Sequence, residues 1–267
     1  MNIYMNELKS LRKSAIIWAC SMAALSLLFL SIYPSVANDA LDYKQLLSNY
    51  PATIREMLGI NIDYISTLIG FYSMIFSFIL LCGTIQAMNL GVSILSKEAR
   101  ERTADFLLVK PVSRTSIVTG KLFAAFTTLV LTDTIFYVIS LTLANIVKRG
   151  DYSNKLFLMV NLTMFFVQLI FLAIGMIVSV FFNKLKSVLP ISLGFVFGFY
   201  IIGAILATGE NKESLRFLSP FQYYDIKYIL DHSSYELPYL ILGVAIIAVC
   251  IASTYIIYKN KDIHAVS

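Results

Sequence analysis

The sequence predicts an all-α integral membrane protein with six transmembrane helices, and three observations carry that expectation. Hydrophobic residues make up 58% of the 267-residue chain and charged residues only 14%, where soluble domains carry roughly 25% charged residues. Mean hydropathy is +0.76. Six mainly apolar runs can be marked, at 15–36, 68–90, 122–146, 156–182, 188–208 and 238–258. At about 1.5 Å per residue each is long enough to cross a hydrocarbon core of about 30 Å. The runs are continuous rather than alternating, and backbone groups in lipid must be paired within the segment, so helices are expected rather than strands.

Ahead of the first run, Ile3, Tyr4, Leu8 and Leu11 recur at helical spacing beside Lys9, Arg12 and Lys13. That pattern predicts a short interfacial helix on the inner membrane surface, with a frayed tail as its bland alternative. Basic residues before an apolar run, with Ser35-Val36-Ala37 after it, also sketch a secretion signal. The run exceeds the usual 7 to 15 residues of such signals, which favours a retained first span. Cys20, Cys82 and Cys250 all fall within apolar runs and are expected as small core residues, with no metal spacing. The outer segment 39–64 is rich in Tyr and Leu and predicts short helices.

Between the second and third runs lies the densest charge in the chain. Glu98 and Arg102 stand four apart, in the favourable order for a helical ion pair. Leu95, Ala99, Arg102, Phe106 and Leu107 can share one face. Pro111 then ends the helix, and Ser113 can cap the next one. The segment 95–115 therefore reads as a short amphipathic helix, a sharp turn and a direct connection into the membrane. Two uses stand side by side: a solvated interfacial loop, and a docking surface that transmits a push to the spans.

Asp133, near the middle of the third run, is the only ionisable side chain deep in an apolar run. A charge there costs at least about 2.5 kcal/mol on insertion scales, which makes it a functional candidate by default. Thr128, Thr132 and Thr134 nearby offer the structural alternative of a hydrogen-bonded group. Gln86 and Asn89 in the second run, and Asn161 and Gln168 in the fourth, can serve as pathway residues or bond between helices, the second being the commoner role. Gly194 and Gly198 give the fifth run a G-x-x-x-G spacing, with Gly203 beyond; the pattern suits a subunit interface or packing within one chain. Tyr223, Tyr224, Tyr228, Tyr235 and Tyr239 precede or open the sixth run and read as an aromatic belt at the bilayer surface.

An even number of spans puts both termini on one side. Segments on the N-terminal side hold thirteen Lys and Arg against five Asp and Glu; the opposite segments hold eight against ten. The positive-inside rule therefore gives N-in, C-in. Excess positive charge of this kind reports topology, so no nucleic-acid partner is expected.

The string from Lys97 to Arg114, with Glu98, Arg100, Glu101, Arg102, Thr103, Leu107-Leu108 and Pro111-Val112-Ser113-Arg114, followed by Gly120-Lys121, resembles the inner loop of the ABC type 2 permease family. Leu218-Ser219-Pro220-Phe221-Gln222-Tyr223-Tyr224 is similar to a patch the family often carries before its last span. The resemblance implies the membrane-spanning subunit of an ATP-driven exporter, one permease domain over 1–267, in the plasma membrane of a bacterium. It implies a coupling helix seated on a cytoplasmic ATP-binding subunit, with Glu98, Arg100, Glu101, Arg102 and Phe106 facing that partner. It implies a second permease subunit, identical or homologous, around a shared pathway. Where the family usually has a glycine before the threonine, this chain has Arg102. Gly120-Lys121 lacks the upstream glycine of a phosphate loop, position 115 being Thr, so ATP and magnesium are expected in the partner and no cofactor here.

The rivals are a membrane-embedded enzyme and a non-transporting anchor or sensor. Enzyme chemistry needs a clustered base, nucleophile or metal set. His232 and His264 fall on opposite sides of the membrane in this topology, and no paired carboxylates occur within the runs. The transported substrate is not readable from the sequence.

Overall fold

Residues 3–30 contain neither glycine nor proline, and in the computed structural model they form one unbroken helix, α1 (Ile3–Leu30). Nothing in that stretch can end a helix between its basic and apolar parts. The separate interfacial helix expected at the N-terminus is therefore corrected: its residues are the first turns of α1. The structure describes residues 3–51, 54–55, 60, 62, 64–100, 113–182, 187–207 and 215–260.

Two short helices follow, α2 (Tyr33–Asn38), opened by Pro34 in its first turn, and α3 (Ala40–Ser48). Then come α4 (Leu68–Arg100), α5 (Arg114–Val147), α6 (Asn154–Phe181) and α7 (Leu189–Ala207). Two 3-10 turns (Arg216–Leu218 and Pro220–Gln222) and the short α8 (Ile226–His232) lead to α9 (Leu237–Asn260). Among the described residues six helical segments are long and apolar enough to cross a membrane, and each contains most of one apolar run. Exposed Ile16, Ile17, Leu28, Phe123, Val138, Ile201, Ile205, Val244 and Ile256 are scattered over their outward faces. A water-soluble bundle would bury such residues, whereas lipid accepts them. The chain is a multi-pass membrane protein.

Helix ends follow local chemistry. The Ser113 hydroxyl accepts from the Ser116 amide at 3.2 Å, as its position predicted, and Ser153 caps α6 by accepting from Leu156 at 3.3 Å. Asp225 caps α8 through the Lys227 amide at 2.8 Å.

At the centre, α4 and α6 run side by side in the same direction. Their backbones touch where two glycines meet: a Cβ on Gly91 would stand 2.4 Å from the Leu172 carbonyl oxygen, and one on Gly175 would stand 2.8 Å from that of Met88. Close approach of this kind is what glycine permits between membrane helices. α1 runs alongside α5, with the Ser26 and Ser140 hydroxyls 3.1 Å apart. Of the three cysteines, Cys82 and Cys250 are half-buried, but Cys20 faces outward, correcting its expected place in the core; all three are free thiols.

Candidate functional site

The end of the bundle that carries residues 3, 113 and 260 is its base. Lys121, on the second turn of α5, is 0% exposed. Its ammonium donates to the Ile94 carbonyl of α4 at 2.6 Å and to Glu7 Oε1 of α1 at 3.0 Å. Gly120 makes room for this, since Ile3 of α1 lies 3.2 Å from where its Cβ would be. One buried cation thus ties three helices. Lys97 of α4 reaches the Ser10 hydroxyl at 2.8 Å, and Arg114 donates to the Lys259 carbonyl at 3.1 Å, covering the last turn of α9. Thr119 and Tyr255 bring their hydroxyls to 2.7 Å.

α4 ends at Arg100 and α5 begins at Arg114, both at this base, and residues 101–112 between them lie outside the described residues. Glu98 and Arg100 occupy the last turn of α4, and their side chains lie outside the described residues, as do Glu101, Arg102 and Phe106. The predicted docking residues therefore follow directly on the part of α4 held by Lys97 and Lys121.

Midway along the bundle the structure brings predicted polar residues together. Gln86 of α4 donates to the Thr132 hydroxyl of α5 at 3.2 Å. Asp133, beside Thr132, lies next to Gln168 of α6, and the Gln168 amide nitrogen stands 2.8 Å from where a Cβ on Gly83 would be. Asn89 is half-buried one turn from Gln86. Asn161 takes the interhelical role anticipated for it, accepting from the Tyr72 hydroxyl at 2.8 Å.

The opposite end forms a cap. Ser219 donates to the Phe199 carbonyl at 2.8 Å and Gln222 to that of Gly203 at 3.1 Å, seating the 3-10 turns against α7. Arg216 grips Glu236 in a two-pronged ion pair at 2.7 and 2.9 Å, donates to the Gln222 carbonyl at 2.6 Å, and lies 4.3 Å over the Tyr239 ring. Tyr223 and Tyr224 are buried and Tyr235 half-buried. Tyr224 packs on Phe166 and Tyr235, and Tyr223 stacks on Tyr239. The aromatic belt expected of these residues is corrected for this group, because the segment folds inward and their rings fill the space between α6, α7 and α9. Burial, reinforced by neighbouring phenols, pushes Tyr223, Tyr224 and Tyr235 up to about 12, so all three remain neutral donors at ordinary pH. Tyr228 instead stacks on His232 at the exposed edge.

Among the described residues, no atom outside their own helix backbone and chain neighbours lies within 4 Å of the Cβ position of Gly194 or Gly198 on α7. Gly91 and Gly175 do bring two helices together, and sequence spacing did not single them out because they lie on different helices. The Lys121 to Glu7 pair was also missed. Its signal was a lone acid among the basic residues of 3–14 and a lysine one step ahead of an apolar run.

Among the described residues no group of three or more His, Cys, Asp and Glu is placed to hold a metal. The sequence pattern of ABC-2 family transporter proteins matches residues 1–263. The chain belongs to the ABC-2 transporter family. No curated protein matches it significantly. Family membership fits the six apolar helices.

Proposed function

We propose that this chain is the permease subunit of an ATP-driven exporter, oriented N-in and C-in in the plasma membrane of a bacterium. It pairs with a second permease subunit and with a separate cytoplasmic ATP-binding subunit that holds ATP and magnesium. The observation that carries the reading is the construction of the base. Residues 101–112, whose charge pattern resembles a coupling element, connect two helices, α4 and α5, that Lys121, Lys97 and Arg114 bind to α1 and α9.

Glu98, Arg100, Glu101, Arg102 and Phe106 form the contact with the ATPase. When the two ATP-binding subunits draw together, the push enters at this segment and passes through the Lys121 junction to α1, α4 and α5. Gly194 and Gly198, open on the outer face of α7, provide a close-approach surface for the second permease subunit, an interface in which α1 joins. Asp133, Gln86 and Asn89 supply polarity at mid-depth.

The deciding experiment is detergent co-purification of the full chain with its candidate ATPase. Wild type is compared with a Glu98→Ala, Glu101→Ala, Arg102→Ala variant at equal membrane expression. Loss of the ATPase in the variant alone is expected. Failure of wild type to retain any ATPase would overturn the assignment.

A further inference from the structure

Five polar atoms at mid-depth are buried without a well-formed hydrogen bond: both carboxylate oxygens of Asp133, both amide atoms of Gln168, which stands beside that carboxylate, and Oε1 of Gln86. Gln86 is 1% exposed and Gln168 is 0% exposed. They come from three helices, α4, α5 and α6, and cluster around one junction, because Gln168 lies beside Asp133 and Gln86 is bonded to the residue next to it. Polar groups left bare in an apolar interior are costly, and native structures seldom keep several together without something between them.

The orientation of Gln86 is fixed by chemistry. The Thr132 hydroxyl spends its proton on the Thr128 carbonyl at 2.7 Å, so toward Gln86 it can only accept. The nitrogen of the Gln86 amide must therefore face Thr132, at 3.2 Å, which leaves Oε1 as the bare acceptor. A proton on Asp133 could close a two-bond ring with the Gln168 amide but would leave Gln86 Oε1 unsatisfied. A cation gathers the carboxylate and both amide oxygens at once.

We propose that Asp133, Gln86 and Gln168 form a binding site for an alkali-metal cation that fastens α4, α5 and α6 together at mid-depth. The ligands are all oxygens, which suits a hard ion and not zinc or copper. The set carries one negative charge, so a monovalent ion leaves the site neutral, whereas a divalent ion would strand a charge in the bilayer core. The cation here is a resident of the helix junction. Nothing in the site requires an ATPase, so its test is independent of the transporter reading.

The test uses the full chain in detergent, with sodium, potassium or choline chloride at equal ionic strength. Wild type is expected to show a saturable rise in Tm of roughly 5 °C at a hundredfold excess over Kd in one of the alkali salts. It should also retain radioactive sodium or rubidium in equilibrium dialysis, one ion per chain. Asp133→Asn keeps the shape and removes the charge, and should lose both responses. Gln86→Leu keeps the charge and removes one ligand, and should weaken the ion's affinity at least tenfold, so the ligand claim stands or falls even where Asp133→Asn does not fold. A wild-type Tm and dialysis profile indifferent to every alkali salt overturns the site. So does a wild type that responds only to acidification, which would make the occupant a proton, or a cation response that Asp133→Asn retains.

Discussion

The base and the cap of this bundle are both held by a buried or half-buried cation, yet they are built on opposite plans. At the base, Lys121 bonds the Ile94 carbonyl and one oxygen of Glu7, Arg114 reaches the Tyr258 and Lys259 carbonyls, and Thr119 meets Tyr255. At the cap, Arg216 is forked onto Glu236, bonded to backbone and laid over Tyr239, inside a group of packed phenols. A planar fork on an aromatic face has few alternative geometries, whereas an ammonium among point contacts can swing to new partners. The cap is thus the end fixed by one rigid geometry, and the base is the end held by several flexible contacts.

The largest effect should come from breaking the base junction on one side. Lys121→Met leaves the Glu7 carboxylate buried without its partner and should destabilise by about 3–5 kcal/mol. Adding Glu7→Gln should recover most of that loss, and thermal unfolding of the three variants in detergent measures it. No recovery would mean that Lys121 acts mainly through Ile94.

Next in size is a steric attack on the cap. A Cβ on Gly243 of α9 would stand 2.8 Å from the Tyr224 hydroxyl, and one on Gly203 would stand 2.7 Å from Ser219 Oγ. Gly203→Val should cost about 1–3 kcal/mol, the range for overpacking, and should speed proteolysis between α7 and α9 while leaving the base protected. Equal loosening of both ends would erase the contrast drawn between them.

A milder change is Arg216→Lys, which keeps the charge and removes the fork. Stability should fall by about 1 kcal/mol, read as a lower Tm. An unaltered Tm would show that charge alone holds Glu236.

Alkaline titration gives the smallest and most local effect. Tyr223, Tyr224 and Tyr235 are raised to about 12 by burial, against about 10 when unfolded. Their neutral forms therefore contribute stability fully below pH 10, and that contribution is lost as pH rises through the folded value. Phenolate absorbance should lag behind that of free tyrosine between pH 10 and 12, and the lag should vanish in a variant whose cap has been opened by Gly203→Val.

Much of this architecture was legible in the sequence because lipid imposes a simple code. Each apolar run became a helix, Ser113 capped α5, and Asp133 stood out as the one acid inside a run. What stayed hidden depends on which helix meets which. Gly91 and Gly175 carry no sequence pattern, since each needs the other from a helix more than eighty positions away to make sense of it. Tyr223 and Tyr224 look like surface aromatics until Ser219 and Gln222 turn their segment inward. Glu7 looked like one charge in a basic tail, because only the unbroken run of α1 brings it to Lys121.

The lengths of the helices carry one more consequence. α5 has 34 residues and α7 has 19, which at about 1.5 Å per residue are rods of about 51 Å and about 28 Å. A bilayer with a core of about 30 Å cannot match both without tilting the long rod or thinning beside the short one. Tilt lets α5 absorb a change in bilayer thickness, whereas α7, the helix that carries Gly194 and Gly198, nearly matches such a core when upright.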